Sequence, residues 1–275
     1  MSTSTIVHIA GIPFGGEDFT TIAGPCAVES YEMALATALA VQAAGARVLR
    51  AGAFKPRTSP HSFQGLGFDG VEILREVKTA TGMPVVTELT DVRHLDDLLD
   101  IADAVQVGAR NMQNYALLTE LGRIDAPVVL KRGLAATVDE LLLAAEYILC
   151  GGNQKVILCE RGIRTYETAY RFTLDLAAVA VLRERTHLPV IVDPSHAAGR
   201  RELVLPLSLA AVAAGADGLI VEVHPAPSAA RCDGEQALEA REFEGYLRQV
   251  RSVARVVGRR APDPVRLLPA LEEAA

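Results

Sequence analysis

One pattern constrains this chain more than any other: a short apolar run bounded by glycine or proline, then a longer amphipathic stretch of helical period, eight times over. The apolar runs fall at 19–24, 47–54, 84–89, 104–110, 127–132, 155–161, 189–193 and 218–222. The helical stretches fall at 31–44, 70–81, 91–101, 115–121, 138–149, 174–186, 203–214 and 235–257. Several runs follow the same punctuation, Ala44-Gly45-Ala46, Thr81-Gly82-Met83-Pro84 and Ala214-Gly215-Ala216. Glycine there supplies the left-handed residue that ends a helix, and proline cannot continue one. Runs rich in Val, Ile and Leu without strict alternation mean strands covered on both faces, the mark of a parallel sheet. Eight strand–helix units in roughly 240 residues match one closed barrel with an outer ring of helices. The expected architecture is a (β/α)8 TIM barrel of the α/β class over 19–257. Residues 1–18 are expected to form a small β-hairpin extension at its N-terminal mouth and 258–275 a loose C-terminal tail, with no separate regulatory domain.

Composition narrows the classes. Half of the 275 residues are hydrophobic and 22% are charged, with only 4 cysteines, which excludes disorder, collagen-like repeats and a disulfide scaffold. With 27 basic against 34 acidic residues the net charge is −7, which argues against a nucleic-acid or anionic-membrane partner. Residues 1–5 carry no Lys or Arg, and no apolar stretch reaches the roughly 18 residues of a membrane span, so a cytoplasmic protein with reduced thiols is expected.

In such a barrel the loops after the strands build the active face, so polar residues at the strands' C-terminal ends are the candidates. Those positions hold Cys26; Arg50, Lys55 and Arg57; Glu88; Gln106 and Arg110; Lys131 and Arg132; Glu160, Arg161 and Arg164; Asp193, Ser195 and His196; and Glu222 and His224, with Asp233 on the following loop. Two chemical subsets separate. The cations Arg50, Lys55, Arg57, Arg110, Lys131, Arg132, Arg161 and Arg164 converge on one face of an acidic protein. Guanidinium forks match phosphate oxygens, so the set implies more than one phosphate or carboxylate group. Solvated loop charge explains any one of these residues but not their convergence.

The second subset is Cys26, His196, Glu222 and Asp233. Closure of the barrel makes the first and last strands neighbours, so these four meet despite their separation in sequence. Each alone has an ordinary structural reading; together they form a donor set of intermediate softness suited to Mn, Fe, Co or Zn, with a position left for substrate. Cys150, Cys159 and Cys232 do not fit that geometry. Gly65-Leu66-Gly67-Phe68-Asp69-Gly70 matches a dinucleotide-binding fingerprint, but about ten loop residues part it from the preceding strand, so it reads instead as glycines that let a long loop fold over the site.

Seven strand-end motifs name a family: Gly24-Pro25-Cys26-Ala27-Val28-Glu29, Arg50-Ala51-Gly52-Ala53-Phe54-Lys55-Pro56-Arg57-Thr58, Gly108-Ala109-Arg110-Asn111, Leu130-Lys131-Arg132-Gly133, Cys159-Glu160-Arg161-Gly162, Asp193-Pro194-Ser195-His196 and Glu222-Val223-His224-Pro225. In order, from about residue 5 to 257, they resemble 3-deoxy-D-arabino-heptulosonate 7-phosphate (DAHP) synthase, in its type Iβ branch related to 3-deoxy-manno-octulosonate 8-phosphate synthase. The resemblance implies a metal-dependent barrel transferase, a homodimer or homotetramer, that joins phosphoenolpyruvate to erythrose 4-phosphate, giving DAHP and phosphate at the start of the shikimate route to aromatic amino acids. It puts Cys26, His196, Glu222 and Asp233 on the metal ligands. Arg110, Lys131 and Arg161, with Arg50 and Lys55, fall on the phosphoenolpyruvate site, and Lys55-Pro56-Arg57-Thr58 on the segment that holds the aldose phosphate. The octulosonate enzyme has Lys-Ala-Asn-Arg-Ser in that segment, which favours erythrose 4-phosphate over arabinose 5-phosphate. A regulatory domain of the kind many members carry is expected to be absent.

Lys131 and Glu88 are the candidates for orienting water and moving its proton, with His196 and Cys26 acting at the metal. Three other functions compete: a five-carbon acceptor as in the octulosonate enzyme, a Schiff-base aldolase using Lys131 or Lys155, and a phosphate-ligand binding protein without turnover.

Overall fold

The computed structural model describes residues 4–261; residues 262–275, most of the expected tail, lie outside them, as do residues 1–3. The eight apolar runs become eight parallel strands: β3 (Thr20–Gly24), β4 (Val48–Arg50), β5 (Val85–Leu89), β6 (Ala104–Val107), β7 (Val128–Lys131), β8 (Val156–Glu160), β9 (Val190–Val192) and β10 (Gly218–His224). Each pairs with its sequence neighbour, and β10 pairs with both β9 and β3, which closes the cylinder. Every residue of these strands is buried, as the unbroken apolar runs require.

The outer helices are α1 (Tyr31–Ala44), α2 (Phe68–Thr81), α3 (Leu95–Leu99), α4 (Tyr115–Leu121), α5 (Val138–Cys150), α6 (Leu176–Arg185), α7 (Pro194–Ala198), α8 (Arg201–Ala213) and α9 (Phe243–Val256). Their limits follow from local chemistry. Ser30 caps α1 by accepting the Met33 N–H, and Gly45 ends it at φ 95°. Thr137 and Glu140 form a reciprocal capping box on α5.

Two expected helices come out differently. The stretch 91–101 divides into a 3-10 turn at Val92–His94 and the short α3. The stretch 235–257 begins with β11 (Leu238–Glu239), which adds to the edge of β10, so α9 starts only at Phe243. Besides β11, a further helix was not expected: α7, opened by Asp193 as its cap and by Pro194, whose fixed φ suits a first turn.

An antiparallel hairpin, β1 (Val7–Ile9) with β2 (Ile12–Phe14), closes the N-terminal end. Its Val7, Ile9, Ile12 and Phe14 pack in one cluster with Ile22, Val48, Val86, Ala104, Val129, Ile157, Ile191 and Ile220, one inward residue from each barrel strand. That ring sets the layer above it. Strand side chains alternate, so the next inward positions lie two residues on. They are Gly24, Arg50, Glu88, Gln106, Lys131, Cys159, Asp193 and Glu222. The apolar floor therefore gives way to chemistry within one layer.

The long loop from Ala51 to Gly67 folds back over this end, tied by a Phe54–Gly65 bridge and the Lys55 N–H to Gln64 carbonyl bond of 2.8 Å. Gly65 sits at φ 90°, where an added Cβ would lie 2.1 Å from the Ala53 carbonyl oxygen. The glycines thus serve loop closure.

Candidate active site

A cleft of about 240 Å3 opens at the C-terminal ends of the strands, lined by Arg50, Lys55, Arg57, Arg110, Lys131 and Arg161 and, between them, Pro56, Thr58, Glu88, Gln106, His196 and Asp233. Most of the cations are already paired. Arg50 Nη1 donates to Glu222 Oε1 at 2.6 Å, Lys131 Nζ to Asp193 Oδ2 at 2.5 Å, and Lys55 Nζ to Glu88 Oε2 at 3.4 Å, all between buried side chains. Arg50 and Lys55 are penalised by burial, yet Glu222 and, for Lys55, Cys26 and Glu88 hold them more firmly protonated than usual.

Arg161 is different. Its Nη1 is buried with no hydrogen-bond partner, its guanidinium carbon stacks 4.4 Å over the Phe172 ring, and burial together with Arg171 and Arg110 pulls it down to about 10. A buried donor left unpaired is costly, so Nη1 is placed to receive an anion, while Asp193 offsets part of the burial cost through space. Arg110, exposed, donates to the Thr58 hydroxyl at 3.3 Å, which joins the β6 loop to the long loop over the mouth.

Beside the cations, one ligand atom from each of Cys26, His196, Glu222 and Asp233 lies within 4.8 Å of the other three. His196 Nε2 is 3.2 Å from Glu222 Oε1 and 4.0 Å from Asp233 Oδ2, and Cys26 Sγ is 3.2 Å from the same Asp233 oxygen. The turn at Asp193 orients the imidazole. Asp193 Oδ1 caps α7 through the His196 N–H at 2.9 Å, and Asp193 Oδ2 takes the ring at Nδ1 at 2.7 Å. Burial brings His196 below its ordinary value against the upward pull of Asp193 and Glu222. The neutral ring with its proton on Nδ1 then presents the Nε2 lone pair to the centre. Burial opposes the charges on Glu222 and Asp233, but a protonated His196 would hold both below the usual carboxylate range, as Arg50 and Arg171 respectively do. One thiol, one imidazole and two carboxylates in mutual reach fit a divalent cation of intermediate softness.

Three expectations are corrected. Arg132 and Arg164 do not join the cation cluster. Arg132 follows inward Lys131 by one residue and so faces outward, where its Nη1 meets Glu160 and Asp175 at 2.9 Å each. Arg164 is exposed on the β8 loop and does not line the cleft. Cys232, read from the sequence as not fitting the metal geometry, stays outside the four-donor group but brings its Sγ to 3.4 Å from Cys26 Sγ and accepts from Arg57. The cause is a tight turn: Asp233 adopts φ 53° and Gly234 lies so close to Pro227 that a Cβ would sit 2.2 Å from its carbonyl oxygen. Lys155, one of two lysines considered for a Schiff base, lies at the opposite end of β8, bound to Asp125 at 2.7 Å.

Two residues at the site were not singled out from the sequence, Arg171 on the β8 loop, which lines the cleft, and Gln236 before β11, buried behind it. Neither ends a strand, and a search of strand ends passes over both. The nearest sequence signal was the Asp233-Gly234 turn two residues before Gln236.

Comparison with known proteins agrees with the strand-end motifs. Residues 4–258 match the model of the DAHP synthetase I family. A phospho-2-dehydro-3-deoxyheptonate aldolase of Thermotoga maritima is 51% identical over 254 residues, 92% of this chain and 75% of that one. A 2-dehydro-3-deoxyphosphooctonate aldolase of Syntrophotalea carbinolica is 31% identical over 91% of this chain and 96% of its own. Among solved structures, the T. maritima DAHP synthase superposes with a TM-score of 0.91 at 50% identity, covering 94% of this chain and 76% of that chain. A truncated form of 3-deoxy-D-arabino-heptulosonate 7-phosphate synthase from the same organism gives 0.88 at 46% identity, covering 94% of this chain and 95% of that one. No helix among the described residues is long and apolar enough to cross a membrane.

Proposed function

The chain belongs to the DAHP synthetase I family, and from that premise we propose that it condenses phosphoenolpyruvate with erythrose 4-phosphate to give DAHP and inorganic phosphate. The observation that carries this reading is Arg161, a buried guanidinium lining the cleft without an anion, beside a four-donor centre suited to a divalent metal. Two anions and an electrophile are what such a condensation requires.

Arg161 and Arg110, with Arg50, Lys55 and Lys131, are assigned to phosphoenolpyruvate, and Arg57 with Pro56 and Thr58 to the aldose phosphate. Holding two mutually repelling anions side by side converts their encounter into an oriented pair, worth up to roughly 7–11 kcal/mol of the barrier. Cys26, His196, Glu222 and Asp233 would hold Mn, Fe, Co or Zn, which when bound polarises the aldehyde oxygen and stabilises the charge that develops there. The enol carbon of phosphoenolpyruvate attacks the aldehyde carbon, water adds to the cation left at C2, and phosphate departs by C–O cleavage. Glu88, held by Lys55, and Lys131, held by Asp193, line the cleft and are assigned to orient that water, with the Glu88 carboxylate taking its proton. Identity of 51% to a heptonate enzyme against 31% to an octonate enzyme, with Pro56-Arg57-Thr58 after Lys55, supports the four-carbon acceptor. A homodimer or homotetramer is the assembly assigned by family resemblance, and sedimentation velocity tests it.

The deciding experiment measures phosphate release from phosphoenolpyruvate with Mn2+ and either erythrose 4-phosphate or arabinose 5-phosphate, before and after chelation. Release that needs the four-carbon acceptor and the metal is expected. Release without any aldose, preference for the five-carbon acceptor, or trapping of a Lys131 adduct by borohydride would overturn the reading.

A further inference from the structure

We propose that Arg171 and Gln236 are positioning residues that clamp the outer oxygens of Glu222 and Asp233, so that the inner oxygens of both carboxylates face Cys26 and His196. The inference rests on the metal-centre reading above and extends it to two side chains outside the donor set. Each carboxylate is divided the same way. Glu222 turns Oε1 toward His196 Nε2, at 3.2 Å, an oxygen it shares with Arg50 Nη1 at 2.6 Å, and gives Oε2 to Gln236 Nε2 at 2.7 Å. Asp233 turns Oδ2 toward Cys26 Sγ, at 3.2 Å, and gives Oδ1 to Arg171 Nη1 at 3.3 Å. The same Arg171 Nη1 donates to Gln236 Oε1 at 2.9 Å, which joins the two halves.

The direction of this relay is fixed by the donors. Arginine has no acceptor, so the Gln236 oxygen must face Arg171 and its amide N–H2 must face Glu222. Gln236 is 2% exposed, so its amide has no aqueous alternative. Arg171 is built in as well: its N–H bonds the Ala198 carbonyl, and Gly199 at φ 65° leaves room for it, since a Cβ there would lie 2.4 Å from Arg171 Cβ. Three loops, those after β8, β9 and β10, thus meet at one arginine, the β9 loop at its backbone and stem and the β10 loop at its guanidinium. Partners that orient metal-bound carboxylates in this way are typically worth about 10–100-fold in metal affinity.

Arg171 also lines the cleft, so the rival role is direct contact with a substrate phosphate. Titration with Co2+ separates the two, because the thiolate-to-cobalt charge-transfer band reports binding at Cys26 independently of turnover. The relay predicts that Arg171→Ala and Gln236→Met each weaken Co2+ binding about 10–100-fold, that the double variant is little worse than the weaker single, and that Arg171→Lys recovers part of the loss. At saturating metal, KM for both substrates should stay within about twofold in Arg171→Ala while kcat falls, by the usual reading of mutant kinetics. Unchanged Co2+ affinity in both single variants, or raised KM at saturating metal with unchanged Co2+ affinity in Arg171→Ala, overturns the relay while leaving the metal centre intact. A wild-type protein that shows no thiolate–cobalt band refutes the centre itself.

Discussion

Replacing Asp193 by Asn is the sharpest test of how this site is held together, because one carboxylate does three jobs. Oδ1 caps α7, while Oδ2 accepts from Lys131 Nζ and from His196 Nδ1, in a side chain 1% exposed. Burial works against the charge, but His196 and Lys131 hold Asp193 well below the usual carboxylate range. The amide keeps the capping oxygen, so the roughly 1 kcal/mol of the cap survives. Its N–H2 then meets the Lys131 ammonium donor to donor. Breaking a buried pair by removing one partner costs about 3–5 kcal/mol, because the other charge stays buried and unpaired. The imidazole must also accept at Nδ1 and carry its proton on Nε2, which takes the lone pair away from the candidate metal position.

Urea denaturation should therefore give Asp193→Asn a midpoint lowered by an amount matching about 3–5 kcal/mol with an unchanged slope, and Co2+ affinity should fall at least about tenfold. Adding Lys131→Met to Asp193→Asn removes the stranded charge and should restore stability to within about 1.5 kcal/mol of wild type, without restoring turnover. The advantage of wild type over Asp193→Asn should persist above pH 5 and shrink as the pH falls through the unfolded carboxyl value of about 3.9, the sign required of a depressed acid. A loss under about 1 kcal/mol in the single variant, with no recovery in the double, would refute the ion-pair reasoning.

Other expectations follow from particular contacts. Gly108→Ala puts a Cβ 2.0 Å from Glu88 Oε1 and must displace that carboxylate. If Glu88 orients the attacking water, kcat should drop about 100-fold with little change in Tm, read by phosphate release and by calorimetry. Arg57→Ala should raise KM for erythrose 4-phosphate far more than for phosphoenolpyruvate, since Arg57 belongs to the segment assigned to the aldose phosphate; equal effects on both would remove it from that role. Burial pushes the Cys159 thiol and the Tyr246 phenol up, so an unfolded chain releases protons at alkaline pH that the folded one keeps. Stability should fall above about pH 9, by up to about 1.4 kcal/mol per pH unit for each group, and Tyr246→Phe should flatten the fall above pH 10. Denaturation midpoints from pH 8 to 11 measure it.

The barrel was legible because burial on both faces leaves a strong mark, eight nearly unbroken apolar runs, and because alternation then fixes which residue points inward. The same alternation settles Arg132: Lys131 inward implies Arg132 outward, a distinction spacing alone carries. The cluster of four candidate donors was legible because closure makes the first and last strands neighbours, a topological fact independent of side-chain detail. By contrast α7 is a single turn without a period to detect, and its cap, Asp193, also ends the run before it. Arg171 and Gln236 lie in loops whose path depends on tight turns at Asp233 and Gly199, and no periodicity reports where such a loop returns.

Charge distribution explains why a net acidic protein can bind two anions at one mouth. A bare ring of six cations would repel itself and, buried, would destabilise the barrel. The fold avoids that by giving Arg50, Lys55 and Lys131 the carboxylates of Glu222, Glu88 and Asp193, so their positive charge is balanced before substrate arrives. Arg110 and Arg161 have no acidic partner within ion-pair distance among the described residues, and the demand for a ligand anion concentrates on them. The paired cations then contribute shape and hydrogen-bond direction more than net charge, whereas neutralising Arg161 removes a charge that no carboxylate contacts and that Asp193 favours only through space. Arg161→Met should therefore weaken phosphoenolpyruvate binding while leaving the fold as stable or more so, because an unpaired buried guanidinium is a cost to the free protein. Arg50→Met should do the opposite for stability, since it strands Glu222. If both variants unfolded at lower temperature than wild type by similar amounts, the division into balanced and unbalanced cations would be wrong.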